Sequence, residues 1–287
     1  MKIFLTGATG WVGSAILGDL LAHGHRVAGL VRSEEKAHAL IGKGAEPVIG
    51  TLDDARILAA AASDADAVVH TAFHHDFSRF AESAAQDARA IEWMGAALVG
   101  TDTPLLVTNG LSGLPRGANE NDRPDPASPR RSEAAARVVR ERGVRVATVR
   151  LACSVHGAGD HAFVPALIAL AKRTGVSAWI GDGANCWSGV HRLDAARVYR
   201  LALEAGLPAT VYHAIADPAV PFRDIARKIA DRLGVPGEAR PAEHFGGFAR
   251  MAGADLAASS ALTRAALNWT PVGPSLMQDL DEPGYYV

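Results

Sequence analysis

Short apolar runs alternate with longer segments of helical spacing along the first half of the chain. Lys2–Thr6 is a short apolar run that ends in a glycine-rich turn. Val12–His23 then carries apolar residues at helical spacing and stops at Gly24, a residue suited to the position just past a helix end. Arg26–Val31 is again of strand length, and Ser33 can cap a helix whose first turn holds Glu34 and Glu35, on the favourable side of the helix dipole. The alternation predicts a strand at Glu46–Ile49, a helix near Asp54–Ala62, a strand at Ala67–Thr71, a helix over Ser78–Val99 and a strand at Leu105–Thr108. After a long Gly/Pro/Asn/Asp-rich loop, Asn109–Ser128, come a helix near Arg131–Arg142 and a strand at Arg145–Leu151. Strands alternating with helices predict an α/β fold built on a doubly wound parallel sheet, covered on both faces. A connection as long as Asn109–Ser128 in a compact domain tends to be functional.

Past Leu151 the rhythm loosens. Ala162–Arg173, Leu193–Ala205 and Phe222–Leu233 read as helices, Val176–Ile180 and Thr210–Ala216 as strands, and Gly181–Gly189 as turn-rich. The tail is studded with Pro and Gly between short helical pieces. This half predicts a smaller C-terminal substrate lobe over the carboxyl edge of the sheet, where open α/β folds place their ligands. The expected division is a nucleotide-binding domain of residues 1–153 with 190–216, and a lobe of residues 154–189 with 217–287.

Composition narrows the class. A chain of 287 residues, 48% hydrophobic, can bury a sizeable core without metals or disulfides. Basic and acidic residues number 29 and 31, so the basic excess of a nucleic-acid-coating protein is missing. Two cysteines make no disulfide framework, and a reducing cytosol fits best. The apolar runs are short and broken by charge or glycine, which argues against a membrane span. The strand pattern begins at the N-terminus, leaving no room for a signal peptide. The expectation is a cytoplasmic protein whose partner is a small molecule.

The candidate chemistry begins at Thr6-Gly7-Ala8-Thr9-Gly10-Trp11-Val12-Gly13, between the first strand and the first helix. Gly7 permits the tight turn, Gly10 lets the backbone approach a pyrophosphate, and Gly13 allows close packing of helix on strand. The helix N-terminus adds N–H donors and the positive end of its dipole. This is a Rossmann-type dinucleotide loop. A NAD-specific site usually places an acidic residue at the end of the second strand. Here that end reads Leu30-Val31-Arg32-Ser33, with no carboxylate before Glu34. A guanidinium and a hydroxyl suit a 2′-phosphate, so NADP(H) is expected over NAD(H). Asp53 stands where it can accept from an adenine amino group or cap the next helix.

These residues resemble a known family. Thr6–Gly13 matches the TGxxGxxG loop of the extended and atypical short-chain dehydrogenase/reductases, the NAD-dependent epimerase/dehydratase group. Val68-Val69-His70-Thr71-Ala72 is similar to the family's VxHxAA segment, whose backbone flanks the cofactor. Val149-Arg150-Leu151 followed by Val155-His156-Gly157 resembles the stretch after the sixth strand, and Ala261–Pro271 the C-terminal element. Val155–Pro165 and Gly181–Ala196 look like an atypical subgroup that includes reductases. The resemblance implies a cofactor site formed by Gly7, Ala8, Thr9, Gly10, Trp11, Val12, Gly13, Arg32, Ser33, Asp53, Thr71, Ala72, Thr108, Asn109 and Leu151. Relatives often dimerise through the helices after the third and fifth strands. The alanine-rich helix Glu133–Arg142 could pack on a copy of itself or inward.

The departure from the family concerns catalysis. Family enzymes usually move the substrate proton with a tyrosine in Tyr-x-x-x-Lys, and none of the four tyrosines here has a lysine four positions later. Alignment puts Pro129 at the tyrosine, Glu133 at the lysine, and Gly110 near the usual serine. Histidines can serve instead near neutral pH. His74 and His75 follow the fourth strand, His156 and His161 flank Gly157–Asp160, and His191 stands beside Arg192 and close to Asp194. Candidate catalytic residues are therefore His161, His191, Ser112 and Glu133. Candidate substrate residues are Phe73, His74, Arg131, His156, Asp160 and Trp187, with Trp11 and Phe163 as further apolar wall. Asp160 or Asp194 could orient a histidine. Equally, His156 could cap a loop, His191 a helix, and His74 and His75 face solvent. Arg130 and Arg131 could bind a carboxylate near the vacated tyrosine position or simply begin a helix. No histidine or cysteine spacing matches a zinc site, Ser112 lacks a nucleophile elbow, and Cys153 and Cys186 read as packed residues. The sequence thus points to an NADP(H)-dependent reductase or dehydrogenase of a small carbonyl or imine, with a non-tyrosine proton donor. An epimerase, dehydratase or isomerase using transient oxidation, or a non-catalytic NADP(H) sensor, are the alternatives.

Overall fold

The computed structural model describes residues 1–286. In chain order the first elements are β1 (Lys2–Thr6), α1 (Trp11–Ala22), β2 (Arg26–Val31), α2 (Glu34–Ile41), β3 (Glu46–Ile49), α3 (Ala55–Ser63) and β4 (Ala67–His70). There follow α4 (Phe80–Ala97), β5 (Leu105–Asn109), α5 (Ser132–Glu141), β6 (Val146–Leu151), β7 (Ser154–His156), α6 (Phe163–Thr174), β8 (Ser177–Trp179) and β9 (Cys186–His191). The remainder holds α7 (Arg192–Glu204), β10 (Val211–Ala214), β11 (Asp217–Pro221), α8 (Phe222–Leu233), β12 (Gly237–Ala239), α9 (Ala249–Ala252), α10 (Ala261–Leu267) and α11 (Leu276–Asp279).

Seven strands form one parallel sheet in the order β10-β6-β5-β4-β1-β2-β3. This is the doubly wound arrangement that the alternation predicts. Side chains along β1 alternate between the two cores. Ile3 and Leu5 join Ile16, Leu20, Tyr199 and Ala202 on the side of α1 and α7, while Phe4 joins Leu58, Ile91, Met94 and Val139 on the side of α3, α4 and α5. The chain winds one way from β1 to β3 and the other way from β4 to β10, so strand order reverses between β1 and β4. At the carboxyl ends of that pair Thr6 stands opposite His70, at the switch point where open α/β sheets bind their ligands.

The alanine face of α5 turns inward. Ala135, Ala136 and Val139 pack against α4, and a Cβ on Gly95 would collide with the Val139 side chain. The lobe has its own core of Leu167, Trp187, Phe222, Ile229, Phe245 and Leu276. Its main sheet runs β11-β9-β7, with β9 parallel to β7 and antiparallel to β11, and β12 pairs with β8. The stretch Gly181–Gly189, which reads as turn, contains most of β9. Cys186–Val190 is buried throughout, so it carries no apolar–polar alternation to betray a strand. From the tail, Ala258, Leu267 and Trp269 return to the core beneath α7. No helix of the described residues is long and apolar enough to cross a membrane.

Candidate functional site

The glycine loop forms an open cradle at the crevice. Gly7 takes φ +73°, and a Cβ there would lie 2.6 Å from Thr71 Oγ1. A Cβ on Gly13 would fall onto the Gly7 carbonyl, so α1 can approach β1 only through glycine. At Gly10 a Cβ would meet nothing closer than the Gly7 carbonyl oxygen at 3.2 Å; here the glycine leaves space rather than relieving a clash. No side chain caps the first turn of α1, so its leading N–H groups stay available for an anion. The cradle therefore fits a pyrophosphate. Ala8 is buried against Gly29 and Thr9 is exposed.

At the adenosine end, Ser33 caps α2 by accepting the Lys36 N–H at 3.3 Å, and Arg32 is exposed beside it. Asp53 accepts from Gln86 Nε2 at 2.6 Å, while the residue at the N-terminus of α3 is its neighbour Asp54. At the other end, Thr71 and Ala72 donate their N–H groups to Thr6 Oγ1. With both acceptor sites of that oxygen used, its O–H donates to His70 Nδ1 at 2.7 Å. His70 in turn donates Nε2–H to Asp87 Oδ1 at 3.1 Å.

Asp87 is the hub of a buried network that the sequence did not reveal. Its carboxylate is 1% exposed and accepts the Ser132 O–H at 2.6 Å. Ser132 Oγ in turn accepts Arg130 Nε–H at 2.6 Å. The Arg130 guanidinium lies 3.6 Å above the Phe73 ring, 3.9 Å from Asp87, with Nη2 3.5 Å from the Thr108 carbonyl. Burial pushes the Arg130 pKa down from its ordinary value, with the Asp87 charge acting against that. Phe73 also packs against His75. His75 keeps exposed surface, yet the protein around it and the charges of Arg130, His74 and His161 hold its pKa below the usual histidine value. Phe73, His75, Arg130 and His161 thus gather at one mouth. The sequence offered Arg130 and Arg131 together as carboxylate binders or a helix start; what it could not show is the acidic partner of Arg130, which comes from α4, a distant stretch of chain.

The candidate catalytic residues separate. His161 is exposed, its ring edge-on to Trp11 at 5.5 Å, while Trp11 donates Nε1–H to the Val155 carbonyl at 2.7 Å and carries the Arg192 guanidinium 4.2 Å above its ring. Glu133 is bound on both oxygens by Arg150, at 2.6 and 2.9 Å, and also accepts from Asn109 Nδ2. Arg150 is 1% exposed and reaches the Asp122 carbonyl and His213 as well. Ser112 is exposed, and its carbonyl accepts from Ser128. Thr108 shares a 2.8 Å hydrogen bond with Tyr199, and Leu151 is half-buried at the end of β6. His191 sits elsewhere, 5.9 Å from His156, and burial lowers its pKa.

The candidate substrate residues also divide. Arg131 and His74 are exposed, and Arg131 stands just before the first residue of α5 while Arg130 turns inward. His156 is wholly buried, donating Nδ1–H to Asp279 Oδ2 at 2.5 Å, while Nε2 makes no hydrogen bond and lies 3.8 Å from Asp217 Oδ2. Trp187 is wholly buried in the lobe core and donates Nε1–H to the Met251 carbonyl. Asp160 caps the turn before α6 by accepting from Ala162, and burial raises its pKa. With His191, Asp279, Glu282 and Tyr285 it lines a cleft of about 900 Å³ that includes none of Gly10, Trp11, Phe73 or Arg130. Burial also raises the pKa of the Cys153 thiol, keeping it protonated and inert.

Comparison with known proteins places this geometry. A family model described as NAD(P)H-binding matches residues 7–155. An uncharacterized protein of Schizosaccharomyces pombe is 44% identical, with 100% of each chain covered. A ketoreductase of Stigmatella aurantiaca, acting by its description on 4-hydroxy-2-methyl-3-oxo-4-farnesyl-3,4-dihydroquinoline-1-oxide, is 29% identical over 86% of this chain and 80% of its own. Among solved structures, a dTDP-glucose 4,6-dehydratase of Streptomyces venezuelae with NAD and TYD bound superposes with a TM-score of 0.75 at 20% identity, covering 100% of this chain and 98% of that one.

Proposed function

The chain belongs to the NAD(P)H-binding family of short-chain dehydrogenase/reductase type, and on that premise we propose that it is an NADP(H)-dependent reductase or dehydrogenase of a small organic carbonyl or imine, working without a tyrosine proton donor. The observation that carries the reading is one crevice holding both an open glycine cradle and, beside the vacated tyrosine position at Pro129, the inward-turned Arg130.

In this reading the first-turn N–H groups of Trp11, Val12 and Gly13 hold the pyrophosphate, and Thr71, Ala72, Thr108, Asn109 and Leu151 flank the nicotinamide half. Arg32 and the Ser33 hydroxyl, whose proton is still free to donate while its oxygen caps α2, take the 2′-phosphate. When bound, the cofactor supplies or accepts the hydride equivalent at the substrate carbon. The chain's own part is to orient the substrate and move a proton at its heteroatom. His161 against Trp11 and His75 beside Arg130 are the imidazoles placed at the mouth for that transfer. Glu133, bound by Arg150, instead anchors the start of α5. The ketoreductase relative supports the reductase direction. Both cysteines are unpaired, which suits a cytoplasmic setting.

Incubation with NADPH or NADH and a panel of aldehydes, ketones and imines, followed by dihydronicotinamide absorbance, tests the reading. NADPH is expected to bind about tenfold or more tightly than NADH, the value of one charged hydrogen-bonded contact, and Arg32→Ala to erase the difference. Equal affinities overturn the cofactor assignment. Tight cofactor binding with no oxidation by any carbonyl or imine overturns the reductase assignment.

A further inference from the structure

The Arg130 network holds more donor capacity than the fold uses. Nε is committed to Ser132, and Nη2 faces Asp87 and the Thr108 carbonyl at 3.9 and 3.5 Å. Nη1 donates to no protein acceptor among the described residues, although the side chain is only 15% exposed and one face is covered by Phe73. Asp87 lies 3.9 Å from the guanidinium, beyond hydrogen-bond reach, and its two oxygens are bonded to His70 and Ser132 instead. A cation removed from most of its water, with an unused donor edge, is costly unless a ligand completes it. Around it stand His75, whose ring packs on Phe73, then His161 against Trp11 and Arg192 over the Trp11 ring; the carboxylates of this region are Asp87 behind the guanidinium and Asp160 beside His161. Aromatic rings at Phe73 and Trp11 make the wall of the mouth between the two guanidinium groups apolar. That combination recognises an anion on a small organic body.

We propose that the substrate of this mouth is a carbonyl compound bearing a carboxylate, an oxo acid, whose carboxylate is held by the Nη1 edge of Arg130 over the Phe73 ring. The inference rests on the reductase reading for the word carbonyl, but the anion site stands on the geometry alone. His70, Asp87 and Ser132 are positioning residues: they fix the guanidinium plane through the Ser132 hydroxyl and leave one edge facing the mouth. A carboxylate held there also offsets the positive charges that, added to burial, depress His75. Binding is therefore accompanied by an upward shift of the His75 pKa, which keeps more of that imidazole protonated near neutral pH and so able to supply a proton when substrate is present.

The test uses malonate as the anion probe and malonamide as its neutral counterpart, titrated calorimetrically into the NADP⁺-saturated wild-type protein so that the phosphate cradle is filled. Malonate is expected to bind at least tenfold more tightly than malonamide, with the His75 imidazole NMR titration moving to higher pH. Arg130→Met is expected to lose at least tenfold in malonate affinity with NADP⁺ affinity unchanged, and Arg130→Lys to keep part of it. Equal affinities for the two probes, or Arg130→Met binding malonate as the wild type does, would overturn the proposal and leave Arg130 a counter-ion for Asp87. If Arg130→Met fails to fold, the wild-type comparison still decides. Failure here is distinct from failure of the reductase reading: neutral ketones would then be reduced as readily as oxo acids, whereas a protein that is no reductase would turn over neither.

Discussion

Single glycines in the cofactor loop do different work, and substitution separates them. Gly13→Ala drives a Cβ into the Gly7 carbonyl, so α1 must move off β1. It is expected to cost about 1–3 kcal/mol in stability by overpacking, and most of the cofactor affinity. Gly10→Ala meets only one backbone oxygen at 3.2 Å and fills the space a pyrophosphate would use. Its melting temperature should stay within a few degrees of wild type while cofactor affinity falls about tenfold or more. Thermal melts with fluorescence titration of NADPH check both, and a Gly10→Ala protein that binds normally would contradict the cradle. These glycines were legible because backbone space is a local demand. Glu133 was not. In sequence it occupies the position of a missing lysine and suggests catalysis, but its carboxylate is claimed by Arg150, seventeen residues on and brought beside it by the pairing of β5 with β6. Asp87 fails the same way, looking like an ordinary helix charge until α4 and α5 pack together, whereas Arg130 was a candidate from its place beside the vacated tyrosine position and only its partners were hidden.

At the level of elements, the nucleotide-binding half was readable almost residue for residue. Lys2–Thr6, Arg26–Val31 and Glu46–Ile49 are strands with the bounds the apolar runs imply, and Ser33 caps its helix as its position predicts. Parallel strands buried on both faces read as continuous apolar runs, and helices between them carry their own period, so each signal is local. The lobe lacks both signals. β7 and β12 are three residues long, and β9 is a buried run rich in small and polar residues whose partners lie on either side of it. The histidines illustrate the consequence. His156 and His191 end adjacent parallel strands and meet each other, while His161, only five residues after His156, crosses to Trp11. The sequence placed all three beyond strand ends but could not show that the loop between them divides the cleft from the mouth.

For the whole molecule, titration sets a direction for stability. Burial, with neighbouring cations, lowers the pKa of His75, His191 and His213 in the fold. Below the ordinary histidine value of about 6.5 the unfolded chain therefore binds protons that the folded chain refuses, and stability falls as pH falls through that range. Asp160, raised by burial, acts in the opposite sense. The expected result is a melting temperature that declines from about pH 7 to about pH 5.5; a flat or rising curve would contradict these environments. The central claim is that one crevice, cradle at one side and Arg130 at the other, supports hydride transfer without a tyrosine. The direct measurement is deuterium transfer from dihydronicotinamide-labelled NADPH to carbonyl and imine acceptors, read by mass spectrometry on the product. The account predicts one deuterium at the former carbonyl or imine carbon, retained in Tyr199→Phe. Bound cofactor with no label in any product, or label lost in Tyr199→Phe at normal stability, would contradict it.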